Sequence, residues 1–234
     1  MENIAIVLAG GSGSRFGADR PKQFLEVAGR TVLEHSVDAF QESLYISEIA
    51  IVSNPAYISD VELLVERNPQ WTKVKRVLPG GKERYDSSLA AIRAYEEKAE
   101  EDVNLVFHDA VRPLVSQEVI ARACEAAKQW KAIGVAVPVV DTVVECEEGC
   151  VKAVPDRSRL QRMQTPQVFR LGVIKEAYKH ALADPAFRAT DDCGVVLRYL
   201  PQVPVHLVVG EECNIKLTYP SDTYWLEHYL TSKY

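Results

Sequence analysis

Short apolar, β-branched runs alternate along the chain with segments whose apolar residues recur at helical spacing. The apolar runs predict strands at residues 4–9, 49–53, 74–78, 105–108, 135–140 and 205–209. The helical spacing predicts helices at 32–40, 84–97, 190–200 and 221–234, with Ser221 as the N-cap of the last one. Such alternation is typical of an α/β fold in which helices flank one mostly parallel sheet.

One segment departs from this alternation. Residues 141–155 predict two short extended pieces around a Glu-Gly turn, at a place where a crossover helix would be expected. An isolated two-stranded hairpin is marginally stable in water, so we expect this arm, about 141–162, to pack against a second copy of the chain. The remaining sequence contains no repeat or linker, which favours one domain over 1–234.

Composition narrows the classes of partner. With 234 residues and 47% hydrophobic content, the chain can bury one large core. Its net charge of −6, without long blocks of like charge, argues against a general nucleic-acid surface, so an anionic ligand requires a local cluster of cations. No apolar run approaches the roughly 18 residues of a membrane span, and no signal-peptide pattern is evident, so we expect a cytoplasmic protein that binds no membrane.

The cysteines do not predict a metal site. There are five, an odd number, with no Cys-x-x-Cys pair and no His at zinc-site spacing. Cys146 and Cys150 flank the turn of the arm and could form a redox pair, but free thiols are the more frequent state in a reducing compartment.

The first strand opens into a glycine-rich turn that two cations follow. Gly10, Gly11 and Gly13 let backbone N–H groups approach a phosphate, and Arg15 and Lys22 come next. An ordinary glycine turn would explain the glycines equally well. The sequence lacks a Walker loop, and it lacks both the third glycine and the acidic residue of a dinucleotide fingerprint, so a dehydrogenase is a poor interpretation.

Other charged residues follow predicted strands. Asp109 and Arg112 close the run at 105–108, and the carboxyl ends of parallel strands form the ligand crevice of such sheets. The pair could bind a metal–phosphate complex and a substrate phosphate, or it could be a structural ion pair. His108, at the end of the apolar run, is expected to be a structural histidine rather than a general base.

Together, the cations that mostly follow strands predict a pair of polyanionic substrates. They are Arg15, Lys22, Arg112, Arg157 and Lys216. Phosphoryl or nucleotidyl transfer needs in-line positioning and charge neutralisation more than covalent help from the protein. No nucleophile–base constellation competes with this interpretation.

An ordered set of motifs then resembles one family, the CTP-dependent cytidylyltransferases that make CDP-polyols from methylerythritol phosphate or ribitol phosphate. The motifs are 9–15, 21–23, 80–81 with Arg84, 108–113, 141–142, 164–167, 190–192 and 214–216. The resemblance covers essentially the whole chain. It implies a Rossmann-like sheet of the nucleotidyltransferase type with a protruding β-hairpin dimerisation arm.

The resemblance also implies a reaction and its residues. The polyol phosphate would attack the α-phosphorus of CTP and release pyrophosphate. The implied catalytic residues are Arg15, Lys22 and Lys216. The implied CTP-binding residues are Leu8, Ala9, Gly10, Gly11, Gly13, Gly81, Ser87 and Asp109. The implied polyol-phosphate-binding residues are Asp109, Arg112, Thr142, Arg157, Thr165 and Thr190, some of them from a partner chain.

Two further expectations come from the resemblance. Mg²⁺ would bridge the CTP phosphates with Asp109 as a candidate ligand, and the arms of a homodimer would interlock to complete each site. Three departures from the methylerythritol pattern, at 8–11, 110–113 and 192–193, lean towards ribitol 5-phosphate over 2-C-methyl-D-erythritol 4-phosphate. The alternatives are a sugar-1-phosphate nucleotidyltransferase and a non-catalytic nucleotide-binding protein.

Overall fold

A seven-stranded sheet organises the chain in the computed structural model, which describes residues 1–11, 21–99, 101–189 and 191–232. The strands are β1 (Glu2–Ala9), β2 (Glu26–Val27), β3 (Arg30–Thr31), β4 (Glu48–Ser53), β5 (Val74–Pro79), β6 (Val103–Asp109), β7 (Ala132–Pro138), β8 (Glu145–Glu147), β9 (Cys150–Ala153), β10 (Gln161–Arg170) and β11 (His206–Val209). The helices are α1 (Val32–Glu42), α2 (Ile58–Arg67), α3 (Arg84–Ala94), α4 (Gln117–Ala126), α5 (Leu171–Leu182), α6 (Asp192–Tyr199) and α7 (Ser221–Thr231).

The main sheet has the order β11-β7-β10-β6-β1-β4-β5. Only β10 among these strands runs antiparallel to its neighbours, and the other pairs are parallel. The predicted α/β fold with a mostly parallel sheet is therefore confirmed. The carboxyl ends of β1 and β6 meet at one edge of this sheet, because Leu8 stands opposite Asp109.

Helices cover both faces of the sheet, since the side chains of its central strands are buried on both sides. In β1, Ile4, Ile6 and Leu8 pack into a cluster that contains residues of α3, α5 and α6. Their neighbours in sequence pack into a second cluster, with residues of α1, α2 and α4. This burial on both faces explains why the strand reads as a continuous apolar run rather than as an alternating one.

Several predicted boundaries were wrong. The strand predicted at 135–140 covers Ala132–Pro138, and α6 begins at Asp192 with Asp191 as its N-cap. Ser221 is not an N-cap but the first residue of α7, and the Asp222 carboxylate accepts hydrogen bonds from the amides of the preceding turn. Strand β10 and helices α2, α4 and α5 were not among the predicted segments.

The predicted hairpin is present and projects from the sheet. Strands β8 and β9 pair antiparallel around Glu148 and Gly149, both with positive φ. All residues of both strands are exposed, including Val151. Cys146 and Cys150 are free thiols beside this turn. In the part of the chain that is described, no helix is both long and apolar enough to cross a membrane.

Candidate active site

Two clefts lie side by side at the carboxyl edge of the sheet. The first has a volume of about 260 Å³ and the second about 330 Å³. The first is lined by Leu8, Ala9, Gly10, Gly11, Lys22, Gln23, Lys82, Glu83, Arg84, Ser87, Asp109, Val111 and Lys216. The second is lined by Arg84, Asp109, Arg112, Met163, Gln164, Thr165, Gln167, Asp191 and Lys216. Arg84, Asp109 and Lys216 form a wall common to both.

The glycine turn after β1 is held at its base by a buried amide. Gln23 Nε2 donates to the carbonyl of Ala9 at 2.7 Å and to that of Gly11 at 3.2 Å. Gly10 approaches α3 closely, because a Cβ there would lie 2.7 Å from Ser87 Oγ and would force that hydroxyl to move. The backbone at the start of the turn and the first turn of α3 are therefore in direct contact across the first cleft.

A second glycine turn leads from β5 into α3. The amide of Gly80 donates to the Ser53 carbonyl at 2.7 Å. A Cβ on Gly81 would lie 2.7 Å from Oδ2 and 2.8 Å from Cγ of Asp86. That carboxylate forms a capping box with Glu83, so the close approach of Gly81 fixes where the helix begins. Arg84 is the first helical residue and is positioned by this arrangement.

Asp109 is a buried carboxylate surrounded by three cations. Lys216 Nζ lies 2.9 Å from Oδ2, Arg84 Nε lies 3.4 Å from Oδ1, and Arg112 Nε lies 3.5 Å from Oδ2. Burial alone would raise the pKa of Asp109, but the three cations, with Lys216 foremost, outweigh burial and hold that pKa well below its usual range. Asp109 therefore stays ionised and anchors all three cations.

Arg84 connects the common wall to a second buried carboxylate. Its Nη1 lies 2.7 Å from Oδ2 of Asp192, whose Oδ1 accepts a hydrogen bond of 2.6 Å from the hydroxyl of Tyr178. Burial would lower the pKa of Arg84, but Asp192 and then Asp109 raise it above its ordinary value. Arg84 is thus permanently charged between two carboxylates.

The two predicted catalytic lysines in the described part of the chain meet through one backbone unit. Lys22 Nζ donates to the carbonyl of Leu217 at 2.9 Å, and Leu217 directly follows Lys216. The amide of Leu217 donates to the carbonyl of Val111 at 2.8 Å. The segment after β11 is therefore tied both to the loop after β6 and to Lys22.

His108 lies buried behind the second cleft and is hydrogen-bonded to two of the residues that line it, Arg112 and Thr165. His108 is fully buried, with Nε2 at 3.0 Å from the Arg112 carbonyl and Nδ1 at 2.9 Å from Thr165 Oγ1. Burial lowers its pKa to about 4, and the nearby charges of Arg112 and Lys216 add to this effect. The prediction of a structural histidine is confirmed, because both ring nitrogens are engaged. The Asp109–Arg112 ion pair also forms, as part of the cleft.

Most of the predicted site residues come together. Leu8, Ala9, Gly10, Gly11, Lys22, Ser87, Asp109 and Lys216 line the first cleft, and Arg112, Thr165 and Asp109 line the second. Gly81 lies behind the first cleft, against Asp86. Thr142 and Arg157 lie on the exposed arm, and in the described structure they line neither cleft. The predictions at Gly13, Arg15 and Thr190 fall outside the described residues.

Several lining residues were not predicted as site residues. They are Gln23, Lys82, Glu83, Arg84, Val111, Met163, Gln164, Gln167 and Asp191. Arg84 is the most consequential of them, since it contacts Asp109 and Asp192. Arg84 belongs to the second glycine motif of the sequence. The sequence offers no local signal for its contacts, because Asp109 lies 25 positions away and Asp192 lies 108 positions away.

The described residues do not form a magnesium cage. Among them, no group of three or more His, Cys, Asp or Glu side chains could hold a metal ion. Asp109 does not fit as a magnesium ligand, because both of its oxygens already face cations that would repel a divalent ion. A metal ion at this site would have to be held mainly by its substrate's phosphates.

The lining of the two clefts carries an excess of positive charge. Among the described residues it holds five cations, Lys22, Lys82, Arg84, Arg112 and Lys216, against the three carboxylates of Glu83, Asp109 and Asp191. The chain as a whole has a net charge of −6. Positive charge concentrated in a cleft of an acidic protein selects anionic ligands.

The sequence matches a known family over nearly its whole length. Residues 3–232 match the family described as IspD: 2-C-methyl-D-erythritol 4-phosphate cytidylyltransferase. A 2-C-methyl-D-erythritol 4-phosphate cytidylyltransferase of Thermobifida fusca is 50% identical over 223 residues, which are 93% of this chain and 89% of that protein.

Two further relatives are informative. The bifunctional ribulose 5-phosphate reductase/CDP-ribitol pyrophosphorylase Bcs1 of Haemophilus influenzae is 42% identical over 95% of this chain, which spans 47% of that protein. The crystal structure of a 4-diphosphocytidyl-2C-methyl-D-erythritol synthase from Anaerococcus prevotii superposes with a TM-score of 0.84 at 27% identity, over 98% of this chain and 96% of that one.

The close approach of Gly81 to Asp86 can be tested by substitution. We expect Gly81→Ala to lower the free energy of unfolding by about 1–3 kcal/mol, because the new Cβ displaces the start of α3. The matched control is Gly11→Ala, since a Cβ on Gly11 meets no atom of the described structure within 4 Å. Urea denaturation of the ligand-free proteins measures both, and equal stability of the two variants would contradict this account.

The buried neutral His108 predicts a pH-dependent stability. Its pKa is about 4 in the folded chain against 6.5 unfolded, so below pH 6.5 the unfolded state takes up the proton first. The His108 contribution is fully present above pH 6.5 and is lost as pH falls towards 4. Between pH 7 and pH 5 we expect the loss of this contribution to lower the free energy of unfolding by about 2 kcal/mol. Urea titrations should show a loss smaller by that amount in His108→Phe, and parallel losses would refute the assignment.

Proposed function

Since the chain belongs to the 2-C-methyl-D-erythritol 4-phosphate cytidylyltransferase family and is therefore a nucleotidyltransferase, we propose that it transfers the cytidylyl group of CTP to 2-C-methyl-D-erythritol 4-phosphate. The observation that carries this proposal is the common wall of the two clefts. A reaction between two anionic substrates needs two adjoining sites with a cation where they meet, and Lys216 stands in that wall.

We assign CTP to the first cleft and the polyol phosphate to the second. The backbone of 8–11 and the buried Ser87 offer close-range polar groups of the kind that bind a nucleotide, and Lys22 lies beside them. The second cleft offers Arg112, Thr165 and Gln167, a cation with two uncharged polar groups, which suits a phosphorylated polyol. The assignment follows the family resemblance and the character of each lining.

In the proposed reaction a phosphate oxygen of the polyol phosphate attacks the α-phosphorus of CTP. The new P–O bond forms as the bond between the α-phosphorus and the bridging β-oxygen breaks, and pyrophosphate leaves with that electron pair. A phosphate oxygen is already a nucleophile at neutral pH, so the reaction needs no general base. What the protein must supply is alignment and neutralisation of the charge that develops on the phosphoryl oxygens.

We propose that Lys216, Lys22 and Arg15 supply this neutralisation. Lys216 is held 2.9 Å from the buried carboxylate of Asp109, which fixes its ammonium group before substrate binds. Lys22 is placed by its hydrogen bond to the carbonyl of Leu217, the residue that follows Lys216. Arg15 lies outside the described residues and receives its role from the resemblance. Cations fixed in advance need not reorganise during the reaction, which is what makes them effective.

The methylerythritol substrate is favoured over the ribitol substrate that the three sequence departures suggested. The relative at 50% identity is named for 2-C-methyl-D-erythritol 4-phosphate, whereas the relative named for CDP-ribitol is 42% identical. Ribitol 5-phosphate stays as the alternative acceptor because that second relative matches 95% of the chain.

We also propose that Mg²⁺ accompanies CTP. The ion would be held by phosphate oxygens and water, since the described residues offer no cage and Asp109 is engaged by cations. When bound, it would neutralise charge on the triphosphate. Lys22, whose side chain lines the first cleft, would act on the same triphosphate from the protein side.

We propose, finally, that the chain works as a homodimer joined through the arm. The arm exposes four apolar side chains, Val143, Val144, Val151 and Val154, and the last two are each 62% exposed. Arg157 donates to the carbonyl of Val140 at the base of the arm. Because Arg157 lines neither cleft of its own chain, its proposed role in substrate binding requires that it enter the site of a partner.

The assignment of substrates and lysines predicts a specific activity profile. Pyrophosphate release with CTP and Mg²⁺ should show a kcat/KM at least about 10-fold higher for 2-C-methyl-D-erythritol 4-phosphate than for ribitol 5-phosphate. Lys216→Gln should lower kcat by about 10²–10³-fold. The control is Lys128→Gln, an exposed lysine paired with Glu125. Wild-type turnover in Lys216→Gln would refute its role, and no release with either substrate would refute the proposed function.

The shared site predicts complementation between two inactive variants. Lys22→Ala damages the cleft and Arg157→Ala damages the arm, so each pure homodimer should be inactive. After mixing under conditions that exchange subunits, half of the dimers are heterodimers with one intact composite site each. Activity should then recover to about a quarter of the wild-type value, by statistical exchange in a two-fold dimer. No recovery after verified exchange would show that each arm serves its own chain.

A further inference from the structure

A closed ring of hydrogen bonds joins three segments around the second cleft. His108 Nε2 contacts the Arg112 carbonyl, and Arg112 Nη1 donates to the carbonyl of Asn214 at 2.8 Å. Asn214 Nδ2 donates to the carbonyl of Thr165 at 2.8 Å, and Thr165 Oγ1 returns to His108 Nδ1. The end of β6, the middle of β10 and the segment after β11 are held together by this ring.

The direction of the hydrogen bonds around His108 follows from one partner. A backbone carbonyl can only accept, so the contact with Arg112 requires the proton of His108 to be on Nε2. A neutral imidazole with its proton on Nε2 has a lone pair on Nδ1. Three charged groups stand near the ring, and among them the cations Arg112 and Lys216 oppose a second proton while Asp109 favours one. Full burial adds to the effect of the cations, so the ring stays neutral.

That lone pair determines what Thr165 can do. A hydroxyl group has one proton to donate and two positions at which it can accept. The amide of Asp109 already donates to Thr165 Oγ1 at 3.1 Å, which occupies one accepting position. The single hydroxyl proton is directed to His108 Nδ1 at 2.9 Å. One accepting position is left for a ligand in the second cleft.

We propose that His108 is a positioning residue that fixes Thr165 as a hydrogen-bond acceptor towards the second cleft, so that Thr165 recognises a hydroxyl group of the polyol and not a phosphate oxygen. This inference rests on the proposed function of the second cleft. Ionised phosphate oxygens can only accept, whereas a polyol hydroxyl can donate to Thr165. The phosphate of the same substrate is then bound by the cations. Because its two ends bind different groups, the polyol phosphate can lie in the cleft in only one orientation.

The tautomer of His108 can be measured without any substrate. In protein labelled with ¹⁵N-histidine, two-bond ¹H–¹⁵N correlation spectra at pH 7 distinguish a protonated from an unprotonated ring nitrogen. The signals of His108 are those that disappear in His108→Gln. We expect Nε2 protonated and Nδ1 unprotonated. A proton on Nδ1, in either the other tautomer or the imidazolium, would overturn the inference.

The recognition of a hydroxyl can be measured with substrate analogues. We compare kcat/KM for 2-C-methyl-D-erythritol 4-phosphate with its monodeoxy analogues, each lacking one hydroxyl. For one analogue, wild-type protein should lose about 10-fold, the value of one buried hydrogen bond. Thr165→Ser retains the hydroxyl and should keep this discrimination, whereas Thr165→Val should not distinguish the analogue from the full substrate. Equal discrimination in Thr165→Val would overturn the inference.

Two substitutions of His108 separate positioning from packing. His108→Asn places an amide oxygen near the position of Nδ1 and should retain most of the discrimination. His108→Gln keeps a donor for the Arg112 carbonyl but no acceptor for Thr165, so discrimination should fall several-fold, with a raised KM for the polyol phosphate and an unchanged KM for CTP. Equal discrimination in both variants would overturn the inference. If the parent protein shows no turnover, the proposed function fails, and the tautomer still decides the part that concerns His108.

Discussion

The carboxylate of Asp109 is the constraint on which both clefts depend. It is buried at the carboxyl end of β6, and its ionised form is retained only because Lys216, Arg84 and Arg112 surround it. The dependence is mutual, since three cations this close together would repel one another without the carboxylate between them. One buried negative charge therefore allows a net positive wall to be assembled from three distant parts of the chain.

The strands that reach this wall were largely visible in the sequence. Strands β1, β4 and β6 are buried on both faces and appear as apolar runs, so their positions and the edge at which Asp109 lies could be predicted. Strand β10 was missed because it buries Gln164, Thr165 and Gln167 in place of apolar residues. These side chains are satisfied by distant partners: Gln164 by the segment after β11, Thr165 by the end of β6, and Gln167 by the N-cap of α6. Such partners leave no periodic signal in the strand itself.

The candidate site could be predicted only as separate motifs. End-of-strand positions located Asp109 and Arg112, and the glycine turn located 8–11, because both signals are local. The contacts that turn the motifs into one site are long-range, as between Lys22 and the carbonyl of Leu217, 195 residues apart. The resemblance to a family supplied the roles of Lys22 and Lys216, but the anchoring of Arg84 between Asp109 and Asp192 emerged only from the fold.

The segment that holds Lys216 and accepts the hydrogen bond of Lys22 packs in a small part of the core. Leu217 packs with Val27, Val32, Leu114 and Leu226 in a cluster separate from the two that cover the faces of the sheet. Leu226 is the only buried residue of α7, so this helix is a natural unit of local unfolding. Detachment of α7 would release Leu217, and with it the placement of Lys22 and Lys216, while the sheet stays intact. We therefore expect heat to inactivate this protein by detaching its last helix, before the sheet melts.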